Sequence, residues 1–178
     1  MRPRPRTSRR PLKFRRIIIA IRKGDTIHHP QHGIGTVKSI RERSFSGPNG
    51  SKFAKMFFPR DDMSVMVRET ELEETVRKPI EKTEARKVLS HISGWEGSVS
   101  DQWKSRANTH QAKLDGGDPF SLAEVYKALC LRQEADSLSA ADRRHLSESE
   151  DRLAEELSVA LGETPHKTRR AMAKSATA

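Results

Sequence analysis

Apolar and polar residues alternate in the first half of the chain, and this pattern predicts short β-strands. In segment 63–68, Met63, Val65 and Val67 are expected to face one side of a strand and the intervening residues the other. Residues 44–52 are turn formers and predict a hairpin loop. Segments of the alternating kind predict strands near residues 25–29, 35–42, 52–58, 62–68 and 73–77. Such closely spaced short strands indicate a small barrel of SH3 or Tudor type.

The apolar pattern changes to the period of helices in the second half of the chain. Leu122, Val125, Tyr126 and Leu129 have the i, i+3, i+4, i+7 spacing that places side chains on one helix face. The predicted fold class is therefore α+β. An N-terminal five-stranded SH3/Tudor-like β-barrel is followed by a compact C-terminal helical domain of about four to five helices.

Local signals predict where these helices begin and end. Ser139 to Asp142 resembles a capping box, Ser100 is placed to cap the helix that carries Trp103, and Thr164-Pro165 is placed to open a last short helix. Helix ends are predicted at Gly116-Gly117 and Gly162.

The composition divides the chain into four predicted segments. Residues 1–16 form a disordered basic tail, 17–78 the barrel, 79–162 the helical domain, and 163–178 a C-terminal extension that is expected to be frayed.

The positive charge is concentrated in the N-terminal tail. Lys and Arg total 34 against 24 Asp and Glu, a net charge of +10. Eight of these cations and none of the acids lie in MRPRPRTSRRPLKFRR, so the remaining chain is close to neutral. Any nucleic-acid surface on the folded part must then be a local patch. A transit peptide has a similar Arg-rich composition, but a solvated arm is favoured.

Two classes of protein are disfavoured by the sequence. The longest apolar run, residues 17–21, is far shorter than the roughly 20 residues of a membrane span. Cys130 is the single cysteine, so the chain has no internal disulfide. It lies in a predicted helix without an evident base, which favours a buried thiol over a nucleophile. We expect a cytoplasmic protein without a membrane partner.

Three histidines offer a candidate metal site, which we disfavour. His28, His29 and His32 lie near Asp25, and imidazoles and carboxylates are common zinc ligands. However, adjacent residues of a strand face opposite sides, which separates His28 from His29. Packing at the strand end or a surface role is therefore favoured. The sequence gives no positive reason to predict an enzyme, a metal or a cofactor.

Trp103 is the candidate for nucleic-acid binding. It stands in SDQWKSR beside Lys104 and Arg106, with Lys113 further along the same helix. An aromatic wedge flanked by cations can enter the minor groove and unstack a base step. The local pattern alone favours the alternative that Trp103 packs between helices. Trp95 is predicted to be a packing anchor.

Several segments together resemble one protein family. KGDTIHHPQHGIGTV, residues 23–37, resembles the GD-x-V-x-YP-x-HG-x-G opening of the CarD/CdnL proteins, which the transcription-repair coupling factor shares. The resemblance continues in SVSDQWKSR, in KLDGGDPFSLAEVYKAL and in LSAADRRHLSESEDRLAEELSVAL. It covers residues 22–162, including the helical half, which the repair factor lacks. The chain is therefore similar to the CarD-type proteins.

The resemblance implies a transcription regulator that binds bacterial RNA polymerase and promoter DNA. The barrel would contact the polymerase β subunit through an exposed strand edge, with Arg43, Met66 and Arg68 as contact residues. The helical domain would reach the upstream edge of the transcription bubble, where a tryptophan wedge stabilises the open complex. The corresponding DNA-binding residues are Trp103, Lys104, Arg106 and Lys113. We expect a monomer that is associated with the nucleoid through the polymerase.

The chain departs from the family pattern at several positions. His29 replaces a tyrosine, and Met66 replaces an arginine of the polymerase-binding strand, for which Arg68 is a candidate substitute. Ser105 and Asn108 stand where many members have basic residues, which predicts a weaker or shifted phosphate contact. The alternative function is a Tudor-like protein-binding adaptor in which Trp103 is structural and DNA is not contacted.

Overall fold

The computed structural model describes residues 21–43, 51–98, 100–135 and 138–177. Its N-terminal part is one antiparallel sheet in which the strands pair in chain order. The strands are β1 (Thr26–His29), β2 (Gly33–Arg43), β3 (Ser51–Phe58) and β4 (Met63–Arg68). These four match predicted strands, whereas most of the predicted hairpin loop, residues 44–50, lies outside the described residues.

The fifth predicted strand, near residues 73–77, is wrong. A 3-10 turn at Glu69–Glu71 leads instead into the short helix α1 (Leu72–Thr75). Leu72 and Val76 are both buried and lie four residues apart, a helical spacing that the sequence reasoning missed. Only Arg77 pairs with β1, through an isolated bridge to His28. The described residues therefore form a four-stranded sheet, and the predicted five-stranded barrel is not observed.

The alternation of side chains along the strands produces the core of the sheet. Ala54, Met56 and Phe58 of β3 are completely buried, and Val65 and Val67 of β4 pack against the same cluster. The prediction that Val65 and Val67 face the core while the residues between them face outward is confirmed. This core is completed by Ile27, Val37, Leu72 and Val76.

Five longer helices form the second part of the described chain. Their apolar faces meet in one cluster that contains the predicted residues Leu122 and Tyr126. The other two residues of that predicted stripe, Val125 and Leu129, are also completely buried. The helices are α2 (Lys82–Gly94), α3 (Trp103–Gly116), α4 (Pro119–Ala135), α5 (Ala140–Leu161) and α6 (Pro165–Ala176).

Most of the predicted helix ends are confirmed. The Ser139 hydroxyl accepts a hydrogen bond from the Asp142 N–H at 3.1 Å, and the Thr164 hydroxyl accepts one from Lys167 N–H at 3.3 Å. Helices α3 and α5 end at glycines in the left-handed conformation, Gly117 and Gly162. The predicted cap at Ser100 is wrong, since α3 begins after Gln102 and without a side-chain cap.

The expectation of a frayed C-terminal extension is also wrong. Helix α6 buries Met172 completely and Ala176 almost completely in the main helical core. The Lys127 ammonium donates a hydrogen bond to the carbonyl of Ala176 at 2.5 Å and so satisfies an acceptor at the end of the helix. The sequence signal was weak because one methionine and small residues make up most of this apolar face.

The two helix-ending glycines provide a matched test of how closely the sheet and the helices pack. A Cβ at Gly117 would lie 2.8 Å from the Cα of Pro30, whereas a Cβ at Gly162 would meet nothing within 4 Å. Gly162→Ala should lower the free energy of unfolding by about 1–2 kcal/mol, because only the left-handed backbone is strained. Gly117→Ala should lower it by at least about 1 kcal/mol more, since Pro30 must also move. Urea denaturation measures both, and equal losses would contradict the close packing.

Candidate functional site

Trp103 is exposed at the beginning of α3. It is the first residue of the helix, and 59% of its surface is accessible, so it does not pack between helices. The Lys104 Nζ atom lies 5.5 Å from the centroid of the Trp103 ring, within the range of a cation–π contact. Trp95 is half-buried and lies against Gly97, two residues along the chain. The structure thus presents one large aromatic side chain and one adjacent cation to solvent.

Arg106 is buried beneath Trp103 rather than exposed beside it. Its Nε and Nη2 atoms donate to the two carboxylate oxygens of Asp142, at 3.0 and 2.9 Å, and both side chains are 2% exposed or less. The hydrogen bonds from Arg106 hold the pKa of Asp142 well below its usual range. The Nη1 atom donates to the carbonyls of Ser100 and Asp101 at 2.8 and 3.2 Å. Arg106 therefore fixes the segment that leads into Trp103.

Lys113 is also paired within the protein. Its ammonium donates to Glu124 Oε2 at 2.6 Å, and the other oxygen of Glu124 lies 3.3 Å from His91 Nε2. The lysine is about one-third exposed, at the opposite end of α3 from Trp103. The structure therefore places Trp103 and Lys104 side by side on the surface, and it separates Arg106 and Lys113 from them.

Two further arginines stand near the beginning of α5. Arg143 and Arg144 are exposed and directly follow Asp142, the residue that binds Arg106. Arg143 Nη1 donates to the carbonyl of Leu138 at 2.5 Å, and Arg144 Nη2 lies 3.5 Å from Gln111 Oε1, eight residues along α3 from Trp103. Sequence reasoning missed both, because their position depends on a pair whose members are 36 residues apart. The signal that could have found them is the basic dipeptide after the capping residue Ser139.

A pair of buried histidines lies between α3 and α5. His110 of α3 and His145 of α5 are 4% and 1% exposed, with ring centroids 6.1 Å apart. Their Nδ1 atoms have no hydrogen-bond partner within the described part of the chain. Burial lowers the pKa of His110 to about 4 and also lowers the pKa of His145. Both side chains are therefore neutral at pH 7.

Strand β4 forms one edge of the sheet, and its outer face carries the predicted polymerase-binding residues. Met66 is 41% exposed, and Arg68 is exposed opposite Phe53 of β3. Phe53 pairs in turn with Arg41 of β2, so the two arginines share a row across the sheet. Arg43 lies at the end of β2 opposite Ser51, and its side chain is outside the described residues. Arg41 was not predicted.

The histidines near β1 are bound within the protein. His28 is 2% exposed, and its Nε2 atom lies 3.6 Å from Glu156. His29 Nδ1 accepts hydrogen bonds from the N–H groups of Gln31 and His32, and the His32 ring lies 2.9 Å from Asp61 Oδ2. Among the described residues, no group of three or more histidine, cysteine or carboxylate side chains could hold a metal ion.

Two smaller sequence predictions concern Cys130 and membrane spans. Cys130 is half-buried, and burial raises the pKa of its thiol, so the unreactive protonated form is favoured. Across the described ranges, none of the helices has the length and apolar composition needed to cross a membrane.

The described chain thus consists of a sheet domain with an edge strand and a helical domain with an exposed tryptophan. The family model for the CarD C-terminal domain matches residues 87–173, and the model for the CarD-like/TRCF RID domain matches residues 21–80. The chain belongs to the CarD family and is a transcription regulator of that type.

One relative matches along most of its own length. The YdeB protein of Bacillus subtilis (strain 168), provisionally named a transcription factor, is 26% identical over 144 residues. The match covers 79% of this chain and 92% of that relative. The comparison therefore includes both the sheet and the helical domain.

Proposed function

We propose that this protein binds the β subunit of RNA polymerase through strand β4 and stabilises the promoter open complex with Trp103. The tryptophan would enter the minor groove at the upstream edge of the bubble. The observation that carries the proposal is that Trp103, at the beginning of α3, is 59% exposed. The segment before it is held in place by Arg106, which forms a buried ion pair with Asp142. Tryptophan is enriched at binding interfaces, because one ring contributes a large contact area and stacks on other planar groups.

The open complex would be favoured through contacts that are absent in the closed complex. A ligand shifts an equilibrium only by its differential affinity for the two states. Trp103 can insert where base pairs are already unstacked, and stacking of one aromatic side chain contributes about 1–3 kcal/mol. The Arg106–Asp142 pair reduces the cost of ordering Trp103 on binding, because the preceding segment is already held in the free protein.

The phosphate contacts that we propose differ from the set predicted by sequence resemblance. Lys104 is retained, since it is exposed next to Trp103. Arg106 and Lys113 are not retained, because their charges are engaged by Asp142 and Glu124. Arg143 and Arg144 take their place in the proposal, as exposed cations near the beginning of α5 beside Asp142, which binds Arg106. This exchange would compensate for Ser105 and Asn108, which are neutral.

The sheet supports the proposed polymerase contact through its free edge. Within the described chain, β4 pairs only with β3, so half of its backbone groups point away from the sheet. Such an edge can accept a strand from a partner, and the side chains beside it select which strand is bound. Met66 and Arg68 provide an apolar contact and a charge on its outer face.

Replacement of Trp103 by alanine tests the wedge. Trp103→Ala should shorten the lifetime of the open complex by about 5- to 150-fold, which corresponds to the stacking energy of about 1–3 kcal/mol. Trp103→Phe should restore part of the loss, because a smaller aromatic ring still stacks. The lifetime is measured on a promoter fragment after addition of a competitor. Since the side chain is exposed, thermal stability should change little.

The Trp103 experiment also separates the two candidate functions. Equal lifetimes for wild type and Trp103→Ala, with polymerase binding intact, would remove the wedge and favour the protein-binding adaptor. A loss of the folded state in Trp103→Ala would show that the side chain is structural.

Charge reversal on the sheet tests the polymerase contact. The double change Arg43→Glu with Arg68→Glu should weaken capture by the isolated β subunit, more strongly at low salt, because charges at the rim of an interface act through association rate and salt sensitivity. Lys82→Glu with Arg86→Glu makes the same change of net charge on α2 and should leave capture unchanged. Undiminished capture of the first variant at low ionic strength would place the contact elsewhere.

A further inference from the structure

Glu156 of α5 is the centre of a buried junction between the sheet and the helical domain. Its two carboxylate oxygens accept hydrogen bonds from the Nη1 and Nη2 atoms of Arg77, at 2.5 and 2.9 Å. It also accepts the backbone N–H of Ile80 at 3.1 Å, and it lies 3.6 Å from His28 Nε2. Arg77 is itself bridged to β1 through His28. Residues 76–81, between α1 and α2, are called the linker below. One carboxylate, 1% exposed, therefore joins β1, the linker and α5.

Two neighbouring residues on α5 extend this junction. Arg152 Nη1 donates to the carbonyls of Pro30 and Leu114, at 3.0 and 2.8 Å, and so connects the β1–β2 turn to the end of α3. Glu155 accepts the backbone N–H of Ile34 at 3.1 Å, and its other oxygen lies 3.4 Å from Arg60. These contacts of Arg152, Glu155 and Glu156 with the sheet domain and linker are called the domain junction below.

The other end of α5 holds the tryptophan helix. Asp142, in the first turn of α5, binds Arg106, which fixes the segment before Trp103. From Asp142 to Glu156 the helix rises about 21 Å, at 1.5 Å per residue. A single rigid element thus carries both the contact to the sheet and the contact to the Trp103 segment.

We propose that α5 is a fixed-length spacer, and that Arg152, Glu155 and Glu156 are positioning residues that set where Trp103 meets the DNA. This inference rests on the proposed function, since it assumes that the sheet holds the polymerase and Trp103 holds the DNA. When the sheet is bound to the polymerase, a rigid domain junction places Trp103 at one base step. A loose junction distributes it over many steps, which lowers its effective concentration at the bubble edge.

Charge reversal at Arg77 is the first test. Arg77→Glu puts a second carboxylate against the buried Glu156 and should separate the domains. Both hydrophobic cores should stay intact, because neither Arg77 nor Glu156 is a member of either one. Adding Glu156→Gln removes the repulsion and provides an amide donor, so it should restore the junction. Lys167→Glu is the matched control, because it creates the same repulsion with Glu163 on the exposed surface of α6.

Two readouts report position rather than folding. Spin labels at Lys55→Cys and Thr109→Cys, with Cys130→Ala, should give one narrow distance in the wild-type background and a broad distribution in Arg77→Glu. A photoreactive group at Lys104→Cys should crosslink promoter DNA at one position in the polymerase complex, and at several in Arg77→Glu. The lifetime of the open complex should fall about tenfold, whereas capture by the β subunit should change less than twofold.

A second variant makes the result independent of the buried pair. Arg60→Ala with Glu155→Ala removes an ion pair between side chains that are 30% and 23% exposed. This double variant should broaden the spin-label distances and the crosslink positions less than Arg77→Glu does. A narrow distance and a single crosslink position in both variants would overturn the spacer. If Trp103→Ala shortens the lifetime and the junction variants do not, only this inference fails. If Trp103→Ala has no effect, the proposed function itself fails.

Discussion

Asp142→Ala is expected to lower the free energy of unfolding by about 3–5 kcal/mol, as is usual when one member of a buried ion pair is removed. The variant leaves the Arg106 guanidinium in a site where it is 2% exposed and where its main charge partner is lost. It also frees the start of α5, where Asp142 bonds to the capping residue Ser139. Urea denaturation measures the loss as a shift of the midpoint with an unchanged slope.

An exposed ion pair between α5 and α6 provides the control for Asp142. Asp151 is 53% exposed and lies 2.6 Å from Arg169 Nη2, so Asp151→Ala should cost less than about 1 kcal/mol. A loss below about 1 kcal/mol for Asp142→Ala as well would show that solvent screens the buried pair. In that case Arg106 would be free to act at the surface, and the original prediction of a phosphate contact would return.

Stability is expected to fall steeply as the pH decreases from 6.5 towards 4. Burial lowers the pKa of His110 to about 4 and, despite the attraction of Glu156, that of His28 to about 4. In the unfolded chain both would bind protons near pH 6.5, so acid favours the unfolded state. The protein is then most stable above pH 6.5. By pH 5 each histidine should have cost about 2 kcal/mol.

Urea midpoints measured at pH 7, 6 and 5 test this pH dependence. His110→Gln removes one of the histidines whose pKa is lowered by burial and should therefore reduce the slope of stability against pH, whatever its effect on stability at pH 7. A flat wild-type profile between pH 7 and pH 5 would mean that protonation of these histidines is accommodated in the folded state. The depressed pKa of Asp142 acts in a much more acidic range and does not overlap with this window.

The sequence was informative where one periodicity dominated. The alternation in 63–68 predicted both the strand and the outward face of Met66 and Arg68, and Ser139 predicted the start of α5. Prediction failed for residues 73–77, where β-branched residues suggested a strand but Leu72 and Val76 pack at helical spacing. The sequence predicted where α6 begins, at Thr164 and Pro165, but not that this helix packs into the core formed with the other helices.

The candidate site could be predicted only in part, because charge pairing is a tertiary property. The exposure of Trp103 agrees with the family resemblance, whereas the local sequence pattern alone favoured packing between helices. The burial of Arg106 follows from neither, since its partner Asp142 is far along the chain. In the sequence, an arginine near a tryptophan suggests a phosphate contact whether or not its guanidinium is paired with a carboxylate elsewhere in the fold.

The domain junction has a consequence for recombination between members of this family. In sequence, the boundary between the two matched domains falls between residues 80 and 87. In space, the sheet is held by α5, about seventy residues further along the chain, through Arg77 and Glu156. A chimera joined at the linker would combine a sheet from one parent with an α5 from the other. Such a hybrid keeps the relative placement of the two domains only if residue 77 of one parent can pair with residue 156 of the other. Residues at these two positions are therefore expected to covary among family members.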